Sequence, residues 1–75
     1  MRLSYIEGLI DGDGEITVGY MNPVGCVAIA SEESNTLAML QRGPGESFTA
    51  LLERLDYAIE RAIEHDEYLD EINAS

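Results

Sequence analysis

Six carboxylates in the second half of the chain pose the first chemical question. Glu53, Asp56, Glu60, Glu64, Glu67 and Glu71 follow one another at steps of three or four residues. At about 100° per residue, all six fall within roughly 80° of arc on one side of a helix. A continuous helix would carry them as a ridge roughly 27 Å long, at about 1.5 Å of rise per residue. Neighbouring carboxylates would stand about 5–6 Å apart, close to the spacing of successive phosphates along a nucleic-acid strand. Like charges so placed cost a helix about a few tenths of a kcal/mol each, so stability alone would put Lys or Arg among them.

Every amphipathic helix has a charged outer face, and a solvated face is the bland reading of this one. The sign bias argues for more. Between Ser47 and Ser75 stand eight acidic residues and two arginines, Arg54 and Arg61, which lie together to one side of the ridge. A one-sign ridge steers a basic partner and raises its association rate. The expected partner is a basic, nucleic-acid-binding host protein whose groove the ridge occupies. Glu32 and Glu33 are weaker candidates for the same contact.

Other chemistry finds little support. Asp11-Gly12-Asp13-Gly14-Glu15 resembles the middle of a calcium loop, but the register puts Leu9 and Tyr20 at the first and last ligand positions. A turn is the better reading. The lone histidine, His65, has no marked nucleophile among Ser31, Ser34 and Ser47. Gly43-Pro44-Gly45 is a linker without the Lys of a phosphate loop. Cys26 lies in an apolar run and reads as a buried, inert thiol. The expectation is therefore a non-enzymatic protein that uses no cofactor and no metal.

Composition narrows the class. Fifteen Asp and Glu against four Arg and no Lys give a formal charge of −11 over 75 residues. Direct nucleic-acid binding needs Lys and Arg at phosphates, and an anionic membrane repels such a chain, so neither is expected. No apolar run reaches the roughly 20 residues of a membrane-spanning helix. Glu7 and Asp11 interrupt the start where a signal peptide needs apolar residues. A cytoplasmic protein is expected. One small domain fits the length, and 45% hydrophobic residues in periodic patterns argue for a folded one.

The elements that must carry these residues divide at residue 47. Runs at Leu3–Ile10, Glu15–Met21, Gly25–Ala30 and Thr36–Gln41 read as strands, the first two joined by the Asp-Gly pairs as a hairpin. From Ser47, a fitting N-cap, the period changes. Phe48, Leu51, Leu52, Leu55, Ala58, Ile59, Ala62 and Ile63 span an arc of roughly 140°, the width of a buried helix face, which predicts a helix over about 47–64. The predicted fold class is α+β: a small antiparallel sheet of three or four strands, over about 3–41, packed by one long C-terminal amphipathic helix.

The phase breaks after Ile63. Asp66 and Asp70 land on the apolar arc, while Tyr68, Leu69 and Ile72 rotate off it. Three outcomes are open. The helix bends at His65-Asp66 and a short segment over about 66–73 docks elsewhere, or its end meets another chain, or it frays. The second outcome would make Tyr68, Leu69 and Ile72 the contacts of a homodimer or of a viral or operon assembly. Exposed sheet edges and leftover apolar residues (Tyr5, Tyr20, Met21, Met39) are consistent with a homodimer too.

Two resemblances extend this reading. In charge and size the chain is similar to phage-encoded inhibitors that mimic DNA, such as anti-restriction and anti-CRISPR proteins. That likeness implies the ridge as the site and nothing finer. Val18-Gly19-Tyr20-Met21-Asn22-Pro23-Val24-Gly25-Cys26-Val27 resembles the strand–turn–strand of HicB-type antitoxins, with Met21 and Val24 where that family's turn is flanked by prolines. Gly45-Glu46-Ser47 opening an acidic helix fits the same outline. With no C-terminal DNA-binding domain, this second resemblance implies a toxin-neutralising module without autoregulation.

Overall fold

The computed structural model describes residues 2–33 and 35–73, so Ser34 of the serines weighed above lies outside it. The alternation Ile16, Val18 against Glu15, Thr17 builds β1 (Gly14–Met21), and the small apolar run after it builds β2 (Gly25–Glu32). These pair antiparallel from Gly14 opposite Glu32 to Met21 opposite Gly25, around the turn at Asn22-Pro23-Val24. The third strand, β3 (Asn35–Gln41), pairs antiparallel with β2, and a bulge at Ala30/Ser31 shifts its register. The fourth, β4 (Leu69–Asp70), is only two residues long and runs parallel to β3, placing Leu69 opposite Ala38. The sheet order is β1-β2-β3-β4, so a mostly antiparallel sheet ends on a short parallel edge drawn from the tail of the chain.

The long helix of the α+β fold runs from Phe48 to His65. In chain order it is the second helix, α2. Ser47 caps it, its hydroxyl accepting from the Ala50 amide at 3.0 Å. Leu51, Leu55 and Ile59 drop onto a floor of Ala28, Ala30 and Ala38, all fully buried, with Leu40 beside them. Small residues on the sheet let the large helix side chains approach closely, which is how a core this size reaches interior packing density.

One expectation fails at the N-terminus. Leu3–Ile10 is not a strand; Ser4–Asp11 is a helix, α1, packed on α2 and β1. Ile6 and Leu9 lie three residues apart on one face and join the core. The Asp-Gly segment therefore links a helix to a strand rather than two strands. Asp13 takes a left-handed φ of 70°, and Gly14 then passes directly against Leu9. A Cβ at Gly14 would collide with the Leu9 side chain and come within 2.7 Å of its carbonyl oxygen. Leu3, at the N-cap position of α1, offers no side-chain acceptor to the first turn.

Candidate functional site

The six carboxylates do not form one ridge. Asp66 adopts a left-handed conformation (φ 56°) that ends α2, and the Glu67 amide closes back on the Arg61 carbonyl at 3.1 Å. Asp tolerates this backbone better than most residues, and the cap satisfies a carbonyl that the helix end would leave open. Glu67 and Glu71 consequently leave the helix axis. Of the three outcomes open for the tail, the structure adopts the first: a bend, then a short segment docked on the β3 edge.

The carboxylates then separate by what they touch. Glu67 is bound by Arg61 through Nε at 3.1 Å and Nη2 at 2.6 Å, a forked contact. Glu71 accepts from Arg54 Nη1 at 2.6 Å and from the Gln41 amide at 2.9 Å. Arg54 also reaches Glu46 with Nε at 2.9 Å and the Gln41 carbonyl with Nη2 at 2.9 Å. One guanidinium thus ties the loop before α2, the end of β3 and the residue after β4. The Arg54 hydrogen bonds and the Gly43 amide hold the Glu46 carboxyl far down, at about 2. The forked bonds from Arg61 likewise lower Glu67.

Asp56 turns the other way. Its Oδ1 accepts from the amides of Tyr5 and Ile6, both at 2.9 Å. It is the missing N-cap of α1, supplied from another helix, and it meets the positive end of that helix's dipole. Glu64 accepts from the Tyr5 hydroxyl at 3.1 Å. That bond, with burial and the charges of Glu64, Glu60 and Asp56, raises the Tyr5 phenol. One tyrosine therefore senses three of the carboxylates at once.

What remains of the ridge is a stripe along the outer face of α2. Glu53, Glu60 and Glu64 lie within about 40° of one another at about 100° per residue. Among the described residues none of the three forms an ion pair. Both helix arginines are turned toward the C-terminal segment and occupied there. Glu32 and Glu33 stand exposed at the β2–β3 turn, far in sequence from the stripe.

Tyr68 and Leu69, two of the three expected contact residues, stand together in a groove between α2 and the C-terminal segment. Both are exposed, Tyr68 by 56% and Leu69 by 41%. Ile72 is half-buried, its amide held by Asp70 Oδ1 at 2.9 Å. Two tyrosines escape sequence reasoning: Tyr5, which donates to Glu64, and Tyr57, which lines the same groove as Tyr68. Tyr57 carries a local sign, being an aromatic on the polar arc of an amphipathic helix. Tyr5 reads only as a leftover apolar residue, because its partners lie more than 50 residues away in sequence.

Cys26 is a free thiol, half-buried rather than buried. Among the described residues no three His, Cys, Asp or Glu side chains converge as a metal site. No described helix is long and apolar enough to cross a membrane. No protein-family model, curated protein or solved structure matches the chain.

Proposed function

We propose that this protein is a non-enzymatic acidic inhibitor that occupies a basic, nucleic-acid-binding surface of a host protein, a DNA mimic of the phage anti-defence kind. The supporting observation is the sorting of charge on α2. Arginines lie on one flank and are engaged by carboxylates, while Glu53, Glu60 and Glu64 lie off that flank and, among the described residues, form no ion pair. A basic partner meets these carboxylates without competition from the arginines of the same helix, and attraction of that kind accelerates encounter.

The test is displacement. A host protein captured by the chain should release bound DNA when the chain is added, and capture should fail near about 0.3 M salt, where the Debye length shrinks to about 5–6 Å. Glu60→Lys with Glu64→Lys should weaken capture about tenfold or more. Unchanged affinity in a folded double variant would sink the proposal.

A second reading, a toxin-neutralising module like the HicB antitoxins, is favoured by the hairpin. Val18–Met21 closes β1 and Gly25–Val27 opens β2 around the Asn22-Pro23-Val24 turn, and β1 is an edge strand. Edge pairing uses backbone hydrogen bonds, so its partner would survive the same rise in salt.

A further inference from the structure

The groove between α2 and the C-terminal segment offers shape where the acidic stripe beside it offers only charge. It is an open cavity of about 390 Å³ lined by Tyr57, Ala58, Arg61, Glu67, Tyr68 and Leu69. Tyr57 is 58% exposed and Tyr68 56%. The ring of Tyr68 is held in that position, since its hydroxyl lies 3.2 Å from Asp70 Oδ2 and 3.3 Å from Met39 Sδ. An exposed aromatic ring tethered at its tip loses little further freedom on binding, which is the condition for a pre-organised contact.

The carboxylates around the groove favour a cationic occupant. Along α2, Tyr57 stands one turn from Glu53 on one side and from Glu60 on the other, and Glu64 follows about two turns beyond it. The C-terminal segment that forms the facing bank contributes Glu67 to the lining, and Asp70 stands beside it at the Tyr68 hydroxyl. The one cation in the lining, Arg61, is already held by Glu67 at 2.6 Å. Leu69 and Ala58 offer an apolar floor between these banks.

We infer that this groove seats an arginine side chain of the protein partner, its guanidinium against the rings of Tyr57 and Tyr68 and its aliphatic stem over Leu69 and Ala58. The inference rests on the acidic-inhibitor reading and names the anchor it would use. Arginine suits such a site better than lysine, because its flat, weakly hydrated cation stacks on aromatic faces while an ammonium keeps its water. Charge alone would not distinguish the two.

Oligo-arginine and oligo-lysine peptides of equal length are the probes, titrated into the full chain at about 0.15 M salt. The arginine peptide is expected to bind about two- to fivefold tighter and to shift the ring resonances of Tyr57 and Tyr68. In Tyr57→Ala with Tyr68→Ala that preference should vanish while lysine-peptide affinity stays. Tyr68→Phe keeps the ring and should keep the preference. If the double variant unfolds, Tyr57→Ala alone carries the test, since it replaces an exposed helix residue by a better helix former. Equal affinity for the two peptides in the unaltered chain, or a preference that survives loss of the rings, would overturn the inference. Glu60→Lys with Glu64→Lys should weaken both peptides alike and leave their ratio intact, so failure of the groove is separable from failure of the stripe.

Discussion

On one flank of α2, Arg54 and Arg61 are each held by carboxylates from outside the helix: Glu46 and Glu71 for the first, Glu67 for the second. On the other flank, Asp56 and Glu64 hold α1 through amide and phenol hydrogens. The first flank pairs carboxylates with guanidinium groups, whereas on the second the carboxylates accept hydrogen bonds from uncharged donors. Equal spacing along a helix therefore says little about equal function. The same three- and four-residue steps yield a salt-bridged seam on one side and a helix cap on the other.

The largest expected effect falls on the α1 flank. Gly14→Ala should lower the unfolding free energy by about 3 kcal/mol, because the Leu9 carbonyl cannot rotate away as a side chain could. Urea denaturation measures it, and an unchanged midpoint would mean that α1 does not pack as described. Asp56→Ala should cost about 1–2 kcal/mol by leaving the first turn of α1 uncapped, and Asp56→Asn should recover part of that loss. Amide exchange should quicken in α1 before it does in the sheet.

The opposite flank is best probed with acid. Glu46 titrates at about 2 in the folded protein against 4.5 for an ordinary glutamate. A folded value below the unfolded one means that its contribution is complete above about pH 4.5 and is lost as pH falls toward 2. Glu67 and Asp70 are lowered too, chiefly by Arg61 and by the Asn73 amide respectively, and act in the same direction. Thermal melts should therefore fall across this window, and Arg54→Met should flatten the fall. An identical pH profile in that variant would show that the Arg54 network contributes nothing. Tyr5→Phe, which removes one exposed hydrogen bond to Glu64, should barely move the melting temperature.

The parts of the fold legible in the sequence are those whose signals are local. Phe48 to Ile63 repeat at helical spacing behind a serine cap, and α2 follows from them. Ile16, Val18 and Tyr20 alternate, and β1 follows. The segment around Ile6 and Leu9 reads falsely as a strand because α1 is short and its cap belongs to Asp56, 50 residues from Ile6. The bend at Asp66 shows in the sequence only as a loss of phase. The path of the tail does not show at all, because it depends on Arg54 and Arg61, which sequence spacing places merely beside the ridge. For the candidate site the same division holds: the carboxylates are legible, and their partners are not.

The cap from Asp56 also bears on how the chain is made. Synthesis delivers the α1 segment before α2, and the acceptor for the Ile6 amide arrives 50 residues later. A helix of eight residues is too short to persist alone in water. On the ribosome, α1 must therefore wait as open chain until α2 has emerged, so of these two helices the earlier one translated is the later to take shape.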